Sequence, residues 1–441
     1  MKQVELLIQA RWVIPVEPAK AVLEHHSLAV DAGRIVALLP TAEAKASFQP
    51  KAAINLERHA LLPGFVNAHT HAAMTLFRGL ADDLALMDWL QNHVWPAEGK
   101  WVTPEFCADG VELACAEMLR GGVTLCNDMY FFPDVSTRVA ARVGMRATVG
   151  MILLDFPSAW AQTPEEYLRK GLQVRDHWRG HPLINTIFAP HAPYTVSDEP
   201  LKKLREYADE MDVPVHMHVH ETAFEVESAQ KDHGERPLAR LDKLGLLNPG
   251  FIAVHMTQLS EAEIALCAGR GINIVHCPES NLKLASGFCP VAALQKAGVN
   301  VALGTDGAAS NNDLDLMGEM KTAALLGKAV AGDAAALPAH TALHMATLAG
   351  AKALGLGEVT GSLVAGKWAD LCAIELGQLE TQPLYHAISQ LVYSADRAQV
   401  SDVWVAGQRL LDNRRLTTID ETDLARRVAD WNGRIAGTIA T

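Results

Sequence analysis

The chain has 441 residues, with 38 Lys+Arg against 51 Asp+Glu and a formal charge of −13. An acidic balance without a Lys/Arg run argues against a partner gripped chiefly through phosphates, where counterion release demands a basic stripe. Hydrophobic residues at 49% and charged residues at 20% exclude the disordered and fibrous classes and leave room for one large core plus a smaller unit.

The N-terminal stretch MKQVELLIQARWV has no basic region followed by an unbroken apolar segment and a cleavage site. Cytoplasm is therefore the expected location. Residues 59–77 carry no charge, but Pro63, Gly64, Asn67 and three histidines make that stretch costly in hydrocarbon, so it is not read as a membrane span. Seven cysteines, at 107, 115, 126, 267, 277, 289 and 372, form no C-x-x-C pair. Neither a disulfide framework nor a zinc ribbon is indicated.

Residues 1–60 alternate short β-branched runs with turn residues, ELLIQARWVIPV and then SLAVDAGRIVALLP, with a hairpin expected at Asp31-Ala32-Gly33-Arg34. This predicts a small β unit. From residue 61 the rhythm changes to short apolar runs separated by helix-like stretches, the pattern of parallel strands with crossover helices. The runs fall at 61–69, 122–129, 146–154, 183–190, 213–219, 251–256, 272–277 and 299–306. Eight such repeats, with no G-x-G-x-x-G loop after the first, favour a closed (β/α)8 TIM barrel over 61–360 rather than an open doubly wound sheet. After residue 360 the β character returns in GSLVAGKWADLCAIEL and QVSDVWVAGQRLL. The two ends, 1–60 and 361–441, are expected to form one discontinuous β-sandwich, with ETDLARRVADWNGRIAG as a C-terminal helix.

Side chains at the C-terminal ends of barrel strands converge on one mouth, so what each run ends with decides the chemistry. Most end in histidine. The first run ends at His69-Thr70-His71, the fourth at His191, the fifth at His216 to Glu221, the sixth at His255, the seventh at His276 to Glu279 and the eighth at Asp306. One histidine on an apolar strand is ordinarily a core residue, whereas five strand ends in register point to a ligand set. His69 and His71 share a strand face and can bind one cation. In the fifth run His216, His218 and His220 also share a face, and spacing leaves open which of them reaches the metal. His218 is chosen because Glu221 follows three residues later, where the carboxylate can turn toward the ligand side. With Asp306 as an oxygen donor, three imidazoles and a carboxylate suit Zn²⁺, and Fe²⁺ or Mn²⁺ would tolerate the same set. The fourth run ends in Pro190-His191 rather than a lysine that could bridge two ions, so one divalent metal per subunit is expected. The other zinc deaminase design, His-x-Glu with Pro-Cys-x-x-Cys, is present only as an isolated His233-Gly234-Glu235.

The chain resembles the amidohydrolase superfamily, and within it the 5'-methylthioadenosine/S-adenosylhomocysteine deaminases. The resemblance is carried by Pro63-Gly64-Phe65-Val66-Asn67-Ala68-His69-Thr70-His71, Arg78-Gly79, Asp82-Asp83, His218 to Glu221, Ser280 to Gly287, Gly304 to Asn312, Gly361-Ser362-Leu363 and Ala369-Asp370. It implies that His69, His71, His218 and Asp306 hold the metal, that Glu221 and His255 assist catalysis, and that the flanking β segments form the small sandwich. A bound zinc ion can lower the pKa of water from about 15.7 to about 7. On this reading Asp306 takes the remaining proton as hydroxide attacks C6 of an adenine ring, Glu221 protonates N1 and then serves departing ammonia, and His255 orients the nucleophile.

The resemblance also assigns Trp89 and Glu98 to a nucleoside pocket, as an aromatic wall and a ribose-binding carboxylate, with His191 on the ribose and Ser310 as a further candidate there. Without it, Trp89 reads as core on the stretch DWLQNHVW and Glu98 as a surface charge. Subfamily members that take S-adenosylhomocysteine are expected to hold its distal carboxylate with arginines after the third strand, and here no arginine follows until Arg169. An uncharged 5' substituent is expected. A free-base deaminase for guanine or 8-oxoguanine, or a triazine hydrolase, would share the metal site, and a catalytically inactive barrel acting as a binding module is the alternative of another class. The expected partner is a small nucleoside, without nucleic acid or membrane, in a homo-oligomer, either a dimer or a tetramer.

Overall fold

A computed structural model of the protein describes residues 1–439, with a barrel and a second sheet each built from eight strands. The barrel strands are Phe65–Thr70, Val123–Asp128, Arg146–Leu153, Ile184–Pro190, Val215–Val219, Phe251–His255, Asn273–His276 and Asn300–Leu303. They follow one another in sequence order, every pair parallel. The last returns to the first where the Asp306 N–H donates to the His69 carbonyl at 3.1 Å and the Thr305 N–H to Asn67 Oδ1 at 3.0 Å. These are the eight runs expected from the sequence, so the open doubly wound alternative is set aside.

Why the strands read as apolar runs is plain from their burial. Val66, Leu125, Ile187, Ile252, Val254, Val275 and Ala302 form one buried cluster with Ala349 and Leu354. Their opposite faces pack against crossover helices such as Pro104–Arg120 and Pro133–Val143. Strands covered on both sides need no polar alternation.

The second sheet draws its strands from both ends of the chain. Arg415–Leu416, Gln408–Asp412, Val400–Val405 and Leu371–Glu375 continue into Phe48–Pro63, Lys2–Val13, Leu23–Asp31 and Arg34–Pro40 in one hydrogen-bonded order. Ile8, Val30 and Leu56 from one end share a buried cluster with Leu371, Ala373 and Trp404 from the other. The expected hairpin is present, with Asp31 opposite Arg34. The strand Phe48–Pro63 runs past residue 60: Leu61, Leu62 and Pro63 pair with Ala373, Cys372 and Leu371, and the barrel begins after Gly64. The apolar run at 61–69 therefore divides between two sheets, which its unbroken hydrophobicity concealed.

A buried ion pair fastens the sheet to the barrel. Arg146, opening the third barrel strand, donates from Nε to Asp370 Oδ2 at 2.7 Å and from a second nitrogen to Oδ1 at 3.1 Å. The C-terminal helix Glu421–Ile439 packs on Pro104–Arg120 through Trp431, whose indole N–H donates to Asp109 at 2.8 Å. Among the described residues no helix is long and apolar enough to cross a membrane, and all seven cysteines are buried and free.

Candidate metal centre and substrate pocket

The barrel mouth brings His69, His71, His218 and Asp306 together, with one ligand atom from each lying within 4.8 Å of the others. Asp306 Oδ1 stands 3.2 Å from His69 Nε2 and 3.2 Å from His71 Nε2, and His218 Nε2 stands 3.2 Å from His69 Nε2. A tetrahedral zinc ion with nitrogen donors at about 2.0–2.1 Å requires donor–donor edges of about 3.3 Å. Three of the contacts match such edges, and four donor atoms within 4.8 Å of one another can close on one divalent cation.

The local backbone aims these groups. His71 Nδ1 faces the Met129 carbonyl at 2.5 Å and His218 Nδ1 the His191 carbonyl at 2.8 Å. Both contacts hold the proton on Nδ1 and leave Nε2 free as a ligand, as orienting partners of metal histidines do. Asp306 follows the last strand with a left-handed φ of 61°, a conformation seldom kept by a non-glycine residue unless its surroundings enforce it. Its Oδ2 accepts from Ser280 Oγ at 2.7 Å and Ser310 Oγ at 2.8 Å, turning Oδ1 toward the histidines. Burial opposes ionisation of Asp306, yet the His69 and His71 imidazoles hold its carboxyl well below the usual range.

Glu221 and His255 sit beside this cluster. Glu221 Oε2 is 3.8 Å from His255 Nε2, and His255 Nδ1 faces Asn281 Oδ1 at 2.8 Å. Burial raises the Glu221 pKa. The Glu221 main chain is fixed from behind: Glu225 accepts from the His220 N–H at 2.9 Å and the Glu221 N–H at 2.8 Å. Neither Asn281 nor Glu225 was assigned a role from sequence. The Thr-x-x-Glu spacing of Thr222 and Glu225 was the available signal, since Thr222 caps the helix Ala223–His233 and such a glutamate reaches back toward free N–H groups.

A cavity of about 820 Å³, counting its open mouth, joins the metal cluster to Trp89, Glu98, Tyr130, His191, Glu221, His255 and Ser310. Trp89 is buried, and its indole N–H donates to the Ala81 carbonyl at 3.1 Å. Glu98 accepts from the Tyr130 hydroxyl at 2.7 Å, and burial pushes its carboxyl up to about 7 against that hydrogen bond. His191 Nδ1 contacts Thr195 Oγ1 at 3.1 Å. Of the two neighbouring histidines, His220, just past the strand, accepts the Leu238 N–H at 3.3 Å, and His216, on the same strand as His218, lies buried against His69. Glu279 of the seventh run is engaged by Thr322 at 2.8 Å. The motif residues at the rim serve the loops. Arg78 donates to the Asn312 carbonyl at 2.6 Å and pairs with Glu117, while Lys283 pairs with Asp82 and Asn312.

A histidine–aspartate cation site at the mouth of a closed parallel barrel defines a metal-dependent barrel hydrolase. The chain belongs to the amidohydrolase family, which matches residues 60–410. It is 50% identical over 432 residues, 98% of each chain, to a 5-methylthioadenosine/S-adenosylhomocysteine deaminase of Teredinibacter turnerae. A protein of the same name from Saccharophagus degradans is 49% identical, over 98% of this chain and 97% of that one. An adenosine deaminase from Xanthomonas campestris, solved with bound zinc, superposes with a TM-score of 0.98 at 56% identity over 99% of both chains. The zinc-bound atrazine chlorohydrolase of Arthrobacter aurescens shares the fold at a TM-score of 0.90 and 22% identity, over 97% of this chain and 100% of that one.

Proposed function

We propose that the protein is a hydrolytic deaminase that converts 5'-methylthioadenosine to its inosine analogue and ammonia. The observation that carries this reading is the single cavity in which a cation site and a buried carboxylic acid, Glu221, meet an aromatic and carboxylate wall, Trp89 and Glu98. His69, His71, His218 and Asp306 would hold one divalent ion per subunit, zinc for this donor set, and when bound it would make water a usable nucleophile at neutral pH. Iron or manganese would suit the same donors.

The chain's own residues do the rest. Asp306 takes up the proton released from the nucleophile, its carboxylate held in place by Ser280 and Ser310. Glu221, whose burial favours the protonated form, is the acid placed to deliver a proton to N1 of the purine and later to assist departure of ammonia. Positioned acid–base groups of this kind contribute about 10² to 10⁴ in rate. His255, oriented by Asn281, steadies the nucleophile beside the tetrahedral carbon. Glu98 and His191 receive the ribose hydroxyls, and Trp89 lies along the nucleoside.

The 5' substituent meets an apolar end of the cavity lined by Leu90, Trp95, Leu154 and Phe156, and among the described residues its wall includes no lysine or arginine. Nothing there pairs with a distal carboxylate, so methylthioadenosine is preferred to S-adenosylhomocysteine, with adenosine as a further substrate. Buried reduced cysteines support a cytoplasmic setting, and a homo-oligomer is proposed on the general frequency of such assemblies. Ammonia release from methylthioadenosine, adenosine, S-adenosylhomocysteine, guanine and 8-oxoguanine, with metal analysis on the same sample, tests the reading. Glu221→Gln should keep its metal and lose turnover. Full activity in that variant, or a specificity constant for S-adenosylhomocysteine far above that for methylthioadenosine, would overturn it.

A further inference from the structure

Of the three histidines in the metal cluster, two have a visible partner for the nitrogen that faces away from the cation. His71 Nδ1 has the Met129 carbonyl and His218 Nδ1 the His191 carbonyl. His69 Nδ1 has none, although the residue is fully buried. A ligand imidazole must carry its proton on the outward nitrogen for Nε2 to bind, and an acceptor there fixes both the tautomer and the ring orientation. A bare N–H in the interior of a barrel would bear its full desolvation penalty with nothing to offset it. The arrangement calls for an acceptor beside His69.

His216 is the polar group in that place. It lies two residues before His218 on the same strand face, and its ring centroid is 5.0 Å from that of His69 with a tilt of 48°. It is fully buried, and neither of its ring nitrogens has a partner. Its register partner is Ile252, a member of the apolar cluster that also holds Ile187, Val254 and Val275. Nothing aliphatic can satisfy an imidazole. A third buried polar side chain sits on the neighbouring strand: Asn127 donates its amide to the carbonyl of Ala68, the residue before His69, at 3.1 Å, and its Oδ1 is unpartnered. Thr148, opposite Asn127 in the ladder, adds an unpartnered hydroxyl.

We propose that His216 is a positioning residue for the metal site, taking up the Nδ1–H of His69 through one buried water whose other hydrogen goes to Asn127 Oδ1. A water with three such bonds is the usual occupant of a buried polar niche. His216 thus completes for His69 what Met129 and His191 do for the other two ligands, and its place in the barrel is explained without contact to substrate. The inference rests on the metal site described above.

The test compares His216→Leu and His216→Gln with the parent enzyme by competing a zinc chelator against each. Leu fills the niche without an acceptor, and Gln restores one. Loss of an orienting partner typically weakens metal binding by about 10- to 100-fold, so H216L should release zinc that much more readily, H216Q should recover most of the affinity, and the metal-free melting temperatures should agree. Should Leu fail to pack, His216→Met serves as the apolar variant. Zinc affinity in H216L or H216M equal to that of the parent would overturn the role of His216 and leave the metal site standing. An equal loss in H216Q would overturn it too, by showing that ring shape is what matters. A parent enzyme that binds no divalent ion would overturn both readings. A crystal structure of the zinc-loaded enzyme should show the water within hydrogen-bond distance of His69 Nδ1 and His216, and a different acceptor on that nitrogen would refute the bridge.

Discussion

Glu98 offers a direct test of the nucleoside reading, because its carboxylate is useful to a ribose and useless to a free base. The Tyr130 hydroxyl occupies one lone pair on Oε1 at 2.7 Å, which leaves the remaining acceptor sites for a ligand. Two hydrogen bonds from ribose hydroxyls to a charged carboxylate are worth about 1.5–3 kcal/mol each. Glu98→Ala should therefore lower kcat/KM for methylthioadenosine by about 10²- to 10⁴-fold, each factor of ten being about 1.4 kcal/mol. Turnover of 9-methyladenine, which has no ribose, should change little.

The pH dependence gives an independent reading of the same group. Burial carries Glu98 from its ordinary 4.5 up to about 7 in the free enzyme, so its ionised fraction falls roughly tenfold from pH 8 to pH 6 and kcat/KM falls with it. In Glu98→Gln that acidic limb should disappear. Stability should move with the opposite sign. A carboxyl whose folded pKa exceeds its unfolded value is a cost absent below pH 4.5 and complete above pH 7. E98Q should thus melt higher than the parent at pH 8 and no higher at pH 4.5. Equal damage to methylthioadenosine and 9-methyladenine in E98A, or an unchanged acidic limb in E98Q, would refute the assignment.

Other perturbations probe the frame of the site. A Cβ on Gly304 would stand 2.8 Å from His69 N and 2.9 Å from its carbonyl oxygen, so Gly304→Ala should displace the first ligand strand and lower bound zinc well below one equivalent by elemental analysis. Asp370→Asn would leave the Arg146 guanidinium buried without its counter-charge. Removing one partner of such a pair costs about 3–5 kcal/mol, read as a lower midpoint in urea with ligand-free protein. Glu225→Ala would free two N–H groups beneath Glu221. It should reduce kcat far more than zinc content, and a variant with parental kcat would show that Glu221 needs no such anchor.

The barrel was legible because its strands are covered on both faces and so appear as uninterrupted apolar runs, each punctuated by a helix. The ligand set was legible because histidine at five strand ends has no packing rationale. What the sequence hid were distinctions between equivalent neighbours. Leu61 to Pro63 and Phe65 onward are equally apolar, yet they join different sheets on either side of Gly64. His216, His218 and His220 are equally spaced, yet they face the barrel interior, the cation site and the Leu238 main chain respectively.

The supporting groups were hidden for a different reason. Ser280, Asn281, Glu225 and Tyr130 act on Asp306, His255, Glu221 and Glu98, and three of those four contacts join separate strand–loop units of the barrel. No local pattern encodes a hydrogen bond across the mouth. Their effect is nevertheless visible in the backbone: Asp306 and His255 are held at φ of 61° and 73°, angles that cost of order 1–3 kcal/mol each and persist where surrounding contacts enforce them. At Asp306 those contacts are two serine hydroxyls on one carboxylate oxygen and the His69 carbonyl on its amide. The hydrogen bond that closes the barrel thus also sets the angle of a metal ligand, so a change that loosens closure should reach the chemistry before it reaches the fold.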